Sequence, residues 1–145
     1  MSENLEELSG RYRDILRQSV YLVRSIDADG ELSTGQVSTL NMIFVEPMRV
    51  SAIARYAGIK VPSATEQVIK LESAGMVERI ADASDARVVL VKITAFGKKK
   101  LAVANKRRNA NMAAALSELT SQEQQAVADA IPAIAKLNIA LAARL

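Results

Sequence analysis

Cysteine and histidine are both absent from this chain of 145 residues, and the double absence removes most familiar site chemistry. Without cysteine there is no disulfide framework, no thiol nucleophile and no thiol redox sensor. Zinc sites built from Cys or His are excluded, as are a Ser-His-Asp triad and a His general base. Carboxylate or lysine chemistry is formally open, but no spacing arranges it and no Gly-rich loop offers to cradle a phosphate. An enzyme acting on a small anionic metabolite is therefore the weakest class, and no catalytic residue, metal or cofactor is expected. Aromatic residues make up only 3%, and with the five methionines they define no ligand box. No uncharged apolar run reaches the roughly 18 residues of a membrane span. The opening MSENLEELSGRYRD is acidic where a secretory signal would be basic and then apolar, which places the protein in the cytoplasm.

What is present is an ordinary globular composition, 50% hydrophobic and 24% charged, at a length that suits a single domain over 1–145. The net charge of +3 hides an uneven distribution. From Arg49 to Arg108 there are 13 Lys/Arg against 5 Asp/Glu, whereas the rest of the chain has 6 against 11. A basic middle between acidic ends is the footprint of a polyanion-binding segment on a differently employed scaffold. The runs Lys98-Lys99-Lys100 and Lys106-Arg107-Arg108 read first as a solvated helix face, with long-range attraction of DNA as the second reading.

Leu5, Leu8, Tyr12, Ile15, Leu22 and Ile26 recur at helical spacing, predicting a helix over 3–26 that ends at the breakers Asp27, Asp29 and Gly30. Ser33 and Gln36 form a capping box, with Leu32 and Val37 as its hydrophobic staple, for a helix that stops before Pro47. Gln36 is read as a cap rather than a functional polar residue. A short helix ending at Gly58 and a second from about Pro62 to Ala74, capped by Gly75, give a helix-turn-helix. Alternation at Val77 and Arg79, then at Val89, Val91 and Ile93, gives a hairpin whose tip runs from Ala81 to Arg87 without Gly or Pro, so something other than turn chemistry is expected to hold it. Thr94 caps a helix to about Leu119. Thr120 and Glu123 box a last one with the seam Val127, Ile131, Ile134, Leu137 and Leu141, which Pro132 should bend or interrupt. The fold class is mainly α with a small β-hairpin wing: a winged helix-turn-helix over about 32–93, with candidate dimerisation helices over about 3–26 and 94–145, since their seams have no partner within so small a lobe.

The recognition segment runs from Lys60 to Lys70 and includes Pro62 and Thr65. With Ala64, Val68 and Leu71 facing inward, Ser63, Glu66, Gln67 and Lys70 should face outward. Gln pairs with adenine, Glu accepts from cytosine, and Lys binds guanine or phosphate. Ser63 and Glu66 also fit a capping box, which would employ them at the helix start instead.

Leu32-Ser33, Val50-Ser51-Ala52-Ile53-Ala54, Gly58-Ile59, Leu71 to Arg79, Asp82 to Arg87, and Ile93-Thr94-Ala95-Phe96-Gly97 together resemble the MarR family of regulators. The Asp-x-Arg wing followed by Thr-x-x-Gly is the most specific part. The resemblance implies a triangular homodimer on double-stranded DNA at a pseudo-palindromic operator, most simply a repressor. It implies that Asp85 orients an arginine and that Arg87 reaches the minor groove, and it suggests a small phenolic or anionic effector. Arg17, Tyr21 and Met42 are candidates to line a cleft for it, the alternative being ordinary core. A winged-helix architectural factor without an effector is the runner-up. The chain departs from the family at Ala86, where the wing often has Arg, at Glu66, where the recognition helix often has Arg, and at Lys60, where a capping Ser is common.

Overall fold

The structure, a computed structural model, describes residues 3–145; Met1 and Ser2 of the expected 1–145 domain lie outside the described residues. Helix α1 spans Leu5–Ile26 and a short 3-10 turn follows at Asp27–Asp29. Then come α2 (Thr34–Val45), α3 (Val50–Ala57), α4 (Val61–Ser73), strands β1 (Val77–Ala81) and β2 (Val89–Ile93), α5 (Ala95–Leu116) and α6 (Ser121–Ala142).

Local chemistry places these boundaries. At α2 the Ser33 hydroxyl accepts from the Gln36 N–H at 3.1 Å, and Gln36 Oε1 accepts from the Ser33 N–H at 2.9 Å. Thr120 and Glu123 repeat the reciprocal pair at α6. Both boxes satisfy donors that a helix start leaves orphaned. Helix α3 ends at Gly58, whose φ of 67° lies in the left-handed region that disfavours a Cβ. There the Ile59 N–H reaches the Ala54 carbonyl and the Gly58 N–H reaches that of Arg55, closing the turn of the helix-turn-helix. Helix α5 stops at Leu116, short of the expected Leu119. The Gln124 amide, reaching back from α6, binds the carbonyls of Leu116 and Leu119 and holds the corner between the two helices. Helix α6 runs through Pro132 without interruption: a proline removes one ladder bond, and this helix is exposed enough for water to take the freed carbonyl.

Strands β1 and β2 pair antiparallel, Val77 opposite Ile93 and Ala81 opposite Val89. Met48 adds a single antiparallel bridge to Val91, in the middle of β2. The core lies where α2, α3 and α4 meet this hairpin and the first turns of α5: Leu40, Ile43, Ile53, Val68, Leu71 and Val91 are fully buried. Among the described residues, every buried apolar side chain falls between Leu32 and Leu101. Helices α1 and α6, 22 residues each, bury none.

The Thr-x-x-Gly motif joins the two parts. The Thr94 hydroxyl accepts from the Gly97 N–H and donates to the Gly75 carbonyl at 2.6 Å. A Cβ on Gly97 would lie 2.1 Å from the Met76 carbonyl oxygen, so only glycine lets α5 start against the wing's base. Farther along, Asn41 and Asn105 exchange side-chain hydrogen bonds and tie α2 to α5.

Candidate nucleic-acid interface

Helix α4 begins one residue before expected, at Val61 with Pro62 in its first turn and Lys60 at the cap position, where no side chain closes it. Ser63 is therefore inside the helix and not its cap. The capping-box reading of Ser63 and Glu66 is corrected: both side chains are exposed, and Glu66 pairs instead with Lys70 at 3.4 Å. Such an exposed pair is worth about 0–1 kcal/mol and opens at little cost. Ala64, Val68 and Leu71 face the core as expected. Lys60, Pro62, Ser63, Glu66 and Lys70 are exposed along the outer face, with Thr65 half-buried at its edge.

Gln67 departs from the outward orientation. Its Oε1 accepts from the Thr39 hydroxyl, and a Cβ on Gly35 would stand 2.5 Å from its Nε2, so the amide is turned against α2. Helical geometry explains this: Gln67 lies one turn after Ala64 and one turn before Leu71, at the border of the buried face. Thr39 is buried and polar, and its hydroxyl finds this partner. Sequence reading missed Thr39 and Gly35 because their role appears only when α2 and α4 cross. With Ser33 and Gln36 on one side and Ser63, Glu66 and Lys70 on the other, Gln67 floors a polar groove of about 350 Å³.

At the wing, Asp85 Oδ1 accepts from the backbone N–H of Arg87 and from its Nε, each at 3.1 Å, and Oδ2 accepts from Nη2 at 3.2 Å. These bonds from Arg87 hold the Asp85 carboxyl below its ordinary range. Asp82 likewise accepts from the backbone and hydroxyl of Ser84, which lowers its own titration. Side chain-to-backbone turns thus shape the tip, so turn chemistry does hold it, supplied by two aspartates in place of glycine. Arg87 stands 90% exposed, with Asp85 bonded both to its backbone N–H and to two nitrogens of its guanidinium. Arg49, at the start of α3, adds positive charge near both wing aspartates, a neighbour that sequence spacing does not disclose.

Arg17 and Tyr21 lie one turn apart on α1, and Met42 lies on α2. Arg17 pairs with Asp14 at 3.2 Å on the exposed face of α1, Tyr21 is exposed on the same helix, and Met42 packs against the core. The open cleft beside α1 is lined instead by Val20, Val23 and Arg24 together with Ser38, Thr39 and Gln67. The basic runs of α5 are only partly a solvated face. Lys99 and Lys106 are exposed, but Lys98 lies over the Phe44 ring, Lys100 pairs with Glu31, Arg107 binds the Asp29 carbonyl and Arg108 is mostly buried.

A sequence model of the MarR family matches residues 32–89, the stretch from the first capping box to the start of β2. The chain is 29% identical over 111 residues to YxaD of Bacillus subtilis, an uncharacterised HTH-type transcriptional regulator, covering 76% of this chain and 78% of that one. Among solved structures it superposes on the transcriptional regulator BldR of Sulfolobus solfataricus with a TM-score of 0.70 and 26% identity, over 99% of this chain and 100% of that one. It also superposes on the PcaV regulator of Streptomyces coelicolor, solved with its natural ligand, with a TM-score of 0.61 and 22% identity, over 94% and 97% of the two chains.

Proposed function

We propose that the chain, whose residues 32–89 match a MarR-family sequence model and which is similar over most of its length to transcriptional regulators, is a winged-helix, DNA-binding regulator of that family that works as a homodimeric repressor on a pseudo-palindromic operator and is released by a small organic effector. It acts in the cytoplasm by binding and not by catalysis. The carrying observation is the exposed seam of the scaffold. Leu8, Ile15 and Leu22 of α1 and Val127, Ile131, Ile134, Leu137 and Leu141 of α6 are all open to solvent in a single protomer. Monomeric proteins rarely leave contiguous apolar stripes of this kind uncovered. Helix α6 is also long and apolar enough to cross a membrane by length and composition. Val127, Ile131, Ile134, Leu137 and Leu141 share one face, however, and Asp129 and Lys136 interrupt the same stretch, which fits a partner helix better than lipid.

A two-fold pair of lobes would set two α4 helices in successive major grooves about 10 base pairs apart, with the wings on flanking minor grooves. Lys60, Ser63, Thr65, Glu66 and Lys70 then face the DNA, with Pro62 fixing the helix start and Gln67 supporting the helix from behind. Arg87 is aimed by Asp85 at the minor groove, where a guanidinium suits a narrow A·T-rich stretch. Binding-site selection from genomic DNA, followed by gel shift and sedimentation, tests the proposal. A palindromic motif bound by one dimer supports it, and a 15.6 kDa species at micromolar concentration overturns it. The effector half has its support in the ligand-bound PcaV and in the cleft between scaffold and lobe. Operator binding that survives screening with small organic acids and phenols would favour an effector-independent architectural factor.

A further inference from the structure

We propose that Glu66 and Lys70 together read one C·G base pair in each half-site, the carboxylate accepting from the cytosine amino group and the ammonium donating to the guanine. The inference rests on the reading of α4 as the recognition helix and adds the identity of a base pair that it selects. Its starting point is the charge on the outer face of α4. Glu66 and Lys70 are one turn apart, their side chains 71% and 67% exposed, and their charged ends stand 3.4 Å from each other. They are the only charged groups among the residues that line the polar groove, the others being Ser33, Gln36, Ser63 and Gln67. Glu72, the other acid of the helix, turns to Arg79 of β1 instead, at 3.5 Å. Gln67, the remaining side chain able to read a base through two bonds, is held against α2 by Thr39.

A carboxylate that faces DNA is repelled by the phosphates, and only a donor on a base edge stabilises it there. The major groove offers two such donors, the amino groups of adenine and cytosine. In an A·T pair the donor lies between two acceptors, N7 of adenine and O4 of thymine, so a carboxylate meets repulsion on both sides. In a C·G pair the donor N4 has an acceptor on one side only, guanine O6, with N7 beyond it. A carboxylate with an ammonium at its flank is the complement of that edge: acceptor against N4, donor against O6 and N7. The two charges also cancel. The pair therefore adds little to attraction by the phosphate backbone, and what it contributes is choice of base. Exposure of both side chains lets the ion pair reopen toward DNA without disturbing the core, because Ala64, Val68 and Leu71 hold the helix from the opposite face.

Binding-site selection with the full chain and its variants tests this, together with gel shift on the selected operator and on random duplex at two salt concentrations. The unmodified chain is expected to select a C·G pair at one fixed position in each half-site. Glu66→Ala should relax that position by at least about fivefold and strengthen binding to random duplex, because a negative charge near phosphate is gone. Glu66→Gln should turn the preference toward A·T, since an amide pairs with adenine N6 and N7. Replacing both residues, Glu66→Ala with Lys70→Ala, should erase the preference and leave the salt slope for random duplex unchanged. Unfolding midpoints should hold throughout, as both side chains are exposed. The inference is overturned if the half-site has no C·G requirement, or if Glu66→Ala leaves every base preference as it was, which would reduce the pair to a contact within the helix. It is equally overturned if the doubly replaced chain has a shallower salt slope, which would make Lys70 a phosphate contact. In each of these cases the palindromic motif stands, and with it the regulator reading. Failure to select any motif overturns both.

Discussion

The winged lobe and the scaffold helices solve the problem of burial in opposite ways. Between Leu32 and Leu101 the chain closes a core in which Leu40, Ile53, Val68 and Val91 meet from four different elements. Helices α1 and α6 are as regular and better capped than α4, yet none of their residues is buried. Helical regularity therefore says little about whether an element is complete. A capping box fixes where a helix starts through contacts within about one turn, whereas its stability in water comes mostly from packing an apolar face. The lobe finds that packing within one copy, whereas the apolar seams of α1 and α6 stay exposed in it, and the proposed dimer would cover them.

The largest effect should come from charging the scaffold seam. Leu137→Glu would put an unpaired carboxylate into the proposed dimer core, at a cost on the order of 3–5 kcal/mol. Sedimentation should show monomers, and operator binding should be lost while the lobe keeps its structure. A Leu137→Glu dimer of normal stability would mean that the seam is not the interface. Next comes the joint between the two parts. Gly97→Ala drives a Cβ into the Met76 carbonyl and should lower stability by about 2–4 kcal/mol, read as a fall in unfolding midpoint. A midpoint within a degree of the unmodified protein would show that α5 can slide away from the wing.

Arg87→Ala tests the lobe's outer edge and separates binding from folding. Stability and dimer mass should be unchanged, because the side chain is 90% exposed. Operator affinity should fall at least about tenfold, or ~1.4 kcal/mol, with a shallower salt slope. Equal affinity at two salt concentrations would reduce the Asp85–Arg87 pair to a surface ion pair.

A smaller effect is expected behind the recognition helix. Thr39→Val leaves the Gln67 carbonyl without its partner and should cost about 1 kcal/mol of stability. If Gln67 acts as a support, Thr39→Val and Gln67→Ala should be non-additive and should weaken all operator variants alike. Selective loss of preference at one base position would show that Gln67 swings out to read DNA.

The smallest effect concerns pH. Asp85 titrates below its ordinary range in the folded wing, so its contribution is present at neutral pH and is lost only as pH falls through that lowered value. Operator binding should therefore be flat between about pH 5 and 8 as far as the wing is concerned, with no histidine to add a transition. A midpoint near pH 6 would point to a group outside the wing.

Much of this was legible from local sequence. The two capping boxes, the glycine that ends α3, the alternation of the hairpin and the inward face Ala64, Val68 and Leu71 all stand as the residues predict. Each depends on interactions within a few positions along the chain, and these are what a sequence displays directly. The wing tip was half legible: Asp85 and Arg87 were marked, while the turn made by Asp82 and Ser84 was overlooked.

What only the tertiary structure decided are the contacts between residues far apart in sequence. Gln67 turns inward because Thr39 and Gly35 of α2 lie beneath it, 28 and 32 positions earlier. Arg108 is mostly buried beside Asp27, where the spacing of basic residues read as a solvated helix face. The cleft beside α1 is lined by Val20, Val23, Thr39 and Gln67, none of them among the residues that spacing suggested for it. Periodicity states which face of a helix a residue occupies. Which neighbour meets that face depends on how helices cross, and that is set by the packing of the whole core.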